Sequence, residues 1–235
     1  MLFVWYKVSF DEKWSHGSAV CETVYFFVEF VCVFPWKCVS LNNQNRGKIM
    51  DGILRKLPIG IQTFEKLREG DYLYVDKTAL VWRIASTETP YFLSRPRRFG
   101  KSLLLSTFEA YFEGKKELFE GLAIADMEKE WKKYPVLHLD LNAEKYDSPQ
   151  ALVEILSRQL TQWELKYGKG EDEETLSGRF AGVIRRACEQ SGRGVVVLVD
   201  EYDKPLLQAL GDDALLDDYR KTLKAFYGVL KLSLI

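Results

Sequence analysis

Residues 92–108 read FLSRPRRFGKSLLLSTF, and this stretch decides the fold. An apolar start predicts a short strand, RPRRFGKS predicts a basic loop, and the rest predicts a helix from Ser102 to Phe112 that Gly114 ends. A helix that opens behind a glycine-containing loop is suited to binding phosphate, because its first backbone N–H groups and its dipole both point at the anion. The stretch therefore predicts a phosphate-binding loop between a strand and a helix.

Three consecutive residues of this loop carry the expected chemistry. Gly100 lets the backbone approach a phosphate closely, Lys101 can reach the β- and γ-phosphates of a nucleotide, and Ser102 can ligate Mg²⁺. The strict pattern G-x-x-x-x-G-K-[ST] has a glycine where this chain has Arg95, so the tight turn must be made differently, with Pro96 as the candidate. The competing interpretation is an ordinary basic loop that opens a surface helix.

Residues 195–205, VVVLVDEYDKP, form the second element of the pattern. Five apolar residues in a row predict a strand buried on both faces. Two carboxylates at the end of such a strand cost free energy to bury unless they bind a partner, so they indicate a functional role. In an ATPase, Asp200 would join the Mg²⁺ shell and Glu201 would polarise the attacking water as general base. The alternative is that both acids cap the next helix. The order of the two elements favours the ATPase interpretation.

The remaining chain alternates predicted helices with predicted strands, which indicates an α/β fold with a parallel sheet flanked by helices. Ser148 and Pro149 supply an N-cap and a first-turn proline for one helix. The pattern predicts helices at 61–68, 77–85, 149–167, 174–190 and 214–227, and strands at 72–76, 91–93, 135–141 and 195–199.

Composition excludes several classes of protein. With 235 residues, 47% hydrophobic and 29% charged, the chain is long and apolar enough for one well-buried domain. A formal net charge of -1 provides no general attraction to nucleic acid or to an acidic membrane. The four cysteines form no paired C-x-x-C metal site, and Cys188 falls on an apolar helix face as a small core residue. We expect a reducing, cytoplasmic setting.

Residues 1–49 differ from the rest, and AVCETVYFFVEFVCVFPW at 19–36 is apolar and aromatic. As a membrane span this run is short and carries Glu22 and Glu29, and it lacks the marks of a signal peptide. As a β-hairpin it would present an exposed, adhesive edge. We interpret Met50 as a natural start, so that 1–49 is an atypical, extraneous leader and 50–235 is the domain.

The stretch from Leu57 to about Leu230 resembles the AAA-ATPase-like family of bacteria and archaea, whose members usually carry a PD-(D/E)XK nuclease-like domain after the ATPase. In that family the arginine-bearing form of the loop is usual, so Arg95 counts toward the match. The matching segments are LPIGIQTFEKLREGDYLYVDKT (57–78), FLSRPRRFGKSLLLSTFEAYF (92–112), YPVLHLDLN (134–142), VVVLVDEYDKPL (195–206) and FYGVLK (226–231).

The resemblance implies a P-loop NTPase fold of the RecA/AAA-like type that uses ATP and Mg²⁺. It implies Lys101 and Glu201 as catalytic residues and Ser102 and Asp200 as metal ligands. The residues that it implies around the nucleotide are Arg97, Arg98, Phe99, Gly100, Lys101, Ser102 and Leu103. For Arg97 and Arg98 the favoured alternative is that they are solvated surface arginines. Asp140 either lines the same rim or caps a loop, and His138 is expected to be structural. The resemblance leaves open whether the chain forms a homo-oligomer. Nucleic acid is a partner to consider for full-length relatives but is not indicated for this chain, and no membrane partner is expected.

The same resemblance implies a strand between the phosphate-loop strand and the Walker B strand, that is, the strand ending at Asp200. That strand normally lies later in the chain, and the residues after Gly228 are too few to supply it. We therefore expect a domain that is incomplete at its C-terminal end, with weak nucleotide binding and little turnover. The alternatives are a nucleotide-dependent regulatory module without turnover, and a non-functional gene fragment.

Overall fold

The computed structural model describes residues 4–8, 55–87, 91–93, 99–142 and 145–232, with 4–8 and 231–232 described by their backbone alone. The strands are β1 (Val4–Val8), β2 (Tyr91–Phe92), β3 (Val136–Asp140) and β4 (Val195–Asp200). The helices are α1 (Phe64–Glu69), α2 (Thr78–Ala85), α3 (Lys101–Phe112), α4 (Ala123–Met127), α5 (Pro149–Tyr167), α6 (Leu176–Ser191), α7 (Lys204–Gln208) and α8 (Asp213–Leu232), with a 3₁₀ turn at Lys116–Phe119.

The four strands form one sheet in the order β2-β1-β4-β3. Strands β3 and β4 are parallel, whereas β1 is antiparallel to both of its neighbours, β2 and β4. Two antiparallel steps restore the original direction, so β2 runs the same way as β4 although the two do not touch. The carboxyl ends of β2, β3 and β4 therefore face the same edge of the sheet.

Strand β4 is buried on both faces, as its unbroken apolar run predicts. Val195, Val197 and Val199 pack into a core formed mainly by α5, α6 and α8. Val196 and Leu198 pack into a second core formed by α1 to α4. Each fully buried side chain of this size stabilises the fold by roughly 1.5–3 kcal/mol, so β4 holds the two layers of helices together.

Most predicted helices are confirmed to within a few residues, and Cys188 is a buried core residue as expected. The Ser148 side chain makes no cap hydrogen bond, although Pro149 does open α5. Strands β2, β3 and β4 are also confirmed. The structure adds α4, α7 and the 3₁₀ turn, which are too short to show a helical period in the sequence.

The predicted strand at 72–76, YLYVD, is wrong. Within it Tyr72 makes a single bridge to Lys56, and Leu73 and Val75 are exposed. Alternation arises here because Tyr72 and Tyr74 are partly buried, and Tyr74 packs edge-on against Phe64. Local alternation without a neighbouring strand does not make a sheet.

Asp76, for which the sequence offered no role, fastens two helix starts to each other. Its Oδ1 accepts hydrogen bonds from the backbone N–H and the hydroxyl of Thr78 at 2.8 and 2.7 Å, and its Oδ2 accepts one from the Ala123 N–H at 2.7 Å. The fully buried Thr78 hydroxyl accepts in turn from the Ile124 N–H. Asp76 is thus a capping residue, satisfying donors that helix termini leave without intrahelical partners.

Strand β1 lies between β2 and β4, at the position for which the sequence analysis found no strand in the C-terminal part of the chain. The five residues of β1 belong to the segment that the sequence marked as a leader. The rest of that segment, 1–3 and 9–49, lies outside the described residues, and the boundary at Met50 stays a prediction. Downstream of β4, the described chain continues as α7 and α8.

Candidate functional site

The candidate site lies at the carboxyl edge of the sheet, where α3 begins. Val4 of β1 is in register with Phe92 on one side and with Val199 on the other, so β2 and β4 end at nearly the same level. The chain that leaves β2 enters α3 at Lys101. This topology brings the start of α3 beside the end of β4, although the two are about a hundred positions apart in the sequence.

One hydrogen bond joins the two predicted motifs directly. The Ser102 hydroxyl donates to Oδ2 of Asp200 at 2.7 Å. Asp200 is 7% exposed, so its carboxylate is largely withdrawn from water. A bond to a charged acceptor in such a place is short and relatively strong, and it fixes the orientation of both side chains.

Gly100 and Lys101 prepare the start of α3. Gly100 has φ 72°, in the left-handed region that favours glycine. Among the described residues other than its chain neighbours, none has an atom within 4 Å of where a Cβ of residue 100 would be. Lys101 is 7% exposed, and its charge acts to lower the pKa of Glu201.

Glu201 combines a strained backbone with a perturbed carboxyl group. Its φ is 52°, a conformation that non-glycine residues seldom adopt outside constrained sites. Desolvation raises the pKa of Glu201, Lys101 opposes this rise, and the charges of Asp200 and Asp203 add to it. A carboxylate with a raised pKa accepts a proton more readily than an ordinary glutamate does.

A histidine–glutamate pair lies beneath these residues and ties α3 to β3. Nδ1 of His138 is 3.0 Å from Oε2 of Glu109, two helical turns after Ser102 on the same face of α3. Burial lowers the pKa of His138, but the hydrogen bond and charge of Glu109, with the charges of Asp140 and Asp200, outweigh it and raise the pKa above 6.5. His138 is structural in this sense, as expected, but no sequence pattern pointed to Glu109 as its partner.

Asp140 is in register with Asp200 at the ends of the two parallel strands. Its Oδ1 accepts a hydrogen bond from the Asn142 N–H at 2.7 Å, so it caps the following loop. The exposed Asp140 side chain nonetheless stands at the same edge as Asp200. Both roles that the sequence left open for Asp140 are therefore compatible with its position.

Four further residues were predicted to surround the nucleotide, and the structure describes two of them, Phe99 and Leu103. The Phe99 side chain is 58% exposed. Leu103 is partly buried and packs against the core on the α3 side. Arg97 and Arg98, like Arg95 and Pro96, lie outside the described residues.

Hard oxygen atoms are the donors that Mg²⁺ prefers, and the Ser102 hydroxyl and the Asp200 carboxylate supply two of them. Within the described part of the chain, no group of three or more His, Cys, Asp or Glu side chains could hold a metal ion by itself. The donor set therefore fits Mg²⁺ that keeps water molecules and takes further oxygens from a phosphate, which is the usual form of such sites.

Fold and site together define an α/β protein with a polar cluster at the carboxyl edge of its sheet. The family model described as "Predicted AAA-ATPase" matches residues 58–234. The chain therefore belongs to the AAA-ATPase-like family, as the motifs indicated.

A curated relative is the uncharacterized protein in the vnfD 5' region of Azotobacter chroococcum mcd 1. It is 43% identical over 178 residues, which cover 75% of this chain and 34% of the relative. This chain thus corresponds to about a third of that longer protein. No solved structure matches. Among the described helices, none has the length and apolar character needed to cross a membrane.

Proposed function

We propose that this chain is an ATP-binding module of the ATPase type that uses Mg²⁺. The observation that carries the proposal is the 2.7 Å hydrogen bond between Ser102 and Asp200, because it joins the two motifs on which the nucleotide hypothesis rests. Membership of a family of predicted AAA-ATPases supports the same nucleotide class.

Each residue would have one role toward MgATP. The backbone N–H groups after Gly100 would bind the phosphates at the start of α3, and the Lys101 ammonium would neutralise their charge. Ser102 and Asp200 would hold Mg²⁺, which when bound draws charge away from the transferring phosphoryl group. Arg97 and Arg98 are proposed as further phosphate contacts.

Glu201 would orient the attacking water and accept its proton. Its raised pKa and its place next to Asp200 support this role, since a general base works best when its pKa lies near the working pH. The Lys101 charge opposes this rise in the pKa of Glu201.

Calorimetry of MgATP binding to the full chain, beside Lys101→Ala, tests the proposal. We expect micromolar binding by the wild type and at least a hundredfold loss in the variant, because the buried cation would no longer face the phosphates. Lys169→Ala, a lysine in the loop between α5 and α6, is the control and should bind normally. Equal binding by wild type and Lys101→Ala would refute the proposed site.

Replacing Glu201 with Gln separates turnover from switching. In an ATPase, Glu201→Gln should abolish phosphate release and leave MgATP affinity nearly unchanged, because the isosteric amide cannot accept the proton. A module that uses nucleotide without turnover should show little change in either measurement.

A further inference from the structure

Strand β1 is the one connection between β2 and β4 in the described sheet. Val4 and Trp5 pair with Phe92 and Tyr91 of β2. On its other side, β1 pairs along its whole length with β4, from Val4 opposite Val199 to Val8 opposite Val195. Strand β2 has two residues and no second neighbour in that sheet, so its place depends on β1.

The presence of β1 sets the distance between β2 and β4. Neighbouring strands lie about 4.8 Å apart, so one inserted strand separates β2 from β4 by roughly 9.5 Å. If β1 left, β2 would either lose its sheet partner or move about 4.8 Å to pair with β4 directly. Either change would displace the loop that follows β2 and the start of α3, and with them Lys101 and Ser102.

An interior strand also prevents the exposure of two edges. Without β1, β4 would present a row of unpaired backbone groups beside an apolar surface. The sequence of β1, VWYKV, consists mainly of β-branched and aromatic residues, which are the types that favour strands. Addition of an extended segment to open strand edges is a common mode of recognition, with affinity supplied by main-chain hydrogen bonds.

We propose that the slot between β2 and β4 is a strand-acceptor site, that residues 4–8 of this chain are its occupant, and that occupancy sets the affinity for MgATP. The last part rests on the proposed function. Strand β1 acts as a spacer that holds the end of β2 at the separation from β4 at which the hydrogen bond between Ser102 and Asp200 forms. A chain with an empty slot binds nucleotide poorly.

A proline in the middle of β1 tests the coupling. Tyr6→Pro removes a backbone donor from an interior strand, whereas Tyr6→Val keeps every donor and a strand-forming side chain. If the proline leaves the slot filled in a tenth of the molecules, the apparent dissociation constant for MgATP rises about tenfold. Tyr6→Val should bind as the wild type does, and equal affinity of the two variants would overturn the proposal.

A cross-link tests the position of β1 without relying on nucleotide or on the proline variant folding. Trp5 lies opposite Leu198, so Trp5→Cys with Leu198→Cys should form a disulfide in a chain whose four native cysteines are replaced by alanine. The control pair, Trp5→Cys with Val196→Cys, is offset by two residues and should cross-link much less. Equal yields, or no cross-link in either chain, would overturn the proposal.

The two measurements keep the failures apart. If the wild type binds no MgATP while the registered pair cross-links selectively, the proposed function falls and the coupling to nucleotide falls with it, but the acceptor slot stands. If MgATP binds normally in Tyr6→Pro, the proposed function stands and the spacer role falls.

Discussion

Among the described residues, charged side chains are buried in two regions, and the two regions differ in how those charges are paired. One is the candidate site with Lys101 and Asp200. The other is a cluster between α5 and α6, which we name the ion-pair cluster. Its members are Ser157, Thr161, Glu164, Glu173, Arg179 and Arg186.

Within the ion-pair cluster, opposite charges bind one another closely. The Arg179 guanidinium donates to both Glu164 oxygens at 2.7 and 2.8 Å, and also to the Ser157 and Thr161 hydroxyls. Ser157, Thr161 and Glu164 lie on one face of α5, so a single helix presents the side-chain acceptors of Arg179. Hydrogen bonding by Arg179 holds the pKa of Glu164 below its usual range.

The candidate site differs because its groups meet at the carboxyl edge of the sheet, beside the start of α3. Burial and neighbouring acids raise the pKa of Glu201, the opposite direction from Glu164, and its backbone is strained. Buried charge therefore does not by itself identify a functional site. A raised carboxyl pKa beside a strained backbone and a helix N-terminus is more informative, since these features favour chemistry over stability.

The largest effect on stability is expected for Arg179→Ala in the ion-pair cluster. The Arg179 and Glu164 side chains are 12% and 7% exposed, so removing one leaves a buried charge without its partner. We expect a loss of about 3–5 kcal/mol in unfolding free energy, measured by urea denaturation. Arg185→Ala on the same helix is the control, because that side chain is 58% exposed and should contribute little. A loss below about 1 kcal/mol for Arg179→Ala would mean that the cluster is not structural.

In the candidate site, Asp200→Asn should have a large effect on MgATP binding and a small effect on stability, the opposite of Arg179→Ala. The amide oxygen can still accept from Ser102, but it loses the charge that attracts a cation. MgATP affinity should fall about tenfold to a hundredfold, as for the loss of a charge-assisted contact, while unfolding free energy changes by less than about 1 kcal/mol. Asp140→Asn, the same change at the neighbouring strand end, should affect affinity much less. A stability loss as large as that of Arg179→Ala would make Asp200 a structural residue.

The smallest effect is a pH dependence from His138 and Glu109. Because the folded pKa of His138 is raised, its contribution is complete below pH 6.5 and is lost as the pH rises through the folded value. The folded pKa of Glu109 is lowered, chiefly by the His138 hydrogen bond against an opposing effect of burial. Its contribution is complete above pH 4.5 and is lost as the pH falls through the folded value.

The difference in unfolding free energy between the wild type and His138→Asn should therefore be greatest between pH 4.5 and 6.5 and decline above it. Its maximum should be about 1 kcal/mol, since both side chains are about a third exposed. Glu109→Gln should show the same upper limb, because it removes the same pair. A difference independent of pH would show that His138 acts through packing alone.

The elements that the sequence predicted well are those whose signal is local. The apolar period of α5 and the continuous run of β4 follow from which faces are buried, and glycine and proline mark the ends. Residues 72–76 show the limit of such reasoning, because their alternation is real but, in the part of the chain that the structure describes, they make a single bridge rather than pairing with a strand. A strand is completed by its neighbour, whereas a helix satisfies most of its hydrogen bonds internally.

By itself, the sequence determined the α/β class and the family, because each depends on residue types at short spacing. From the same local patterns it predicted Lys101, Ser102, Asp200 and Glu201 as site residues. Only the tertiary structure decided that Ser102 meets Asp200, that Glu109 pairs with His138 and that β1 lies between β2 and β4. The residues in these contacts are far apart in the sequence: 29 positions for Glu109 and His138, 98 for Ser102 and Asp200, and more for β1 and β4. At such separations the choice of partner depends on the order of strands in the sheet, which no local pattern encodes.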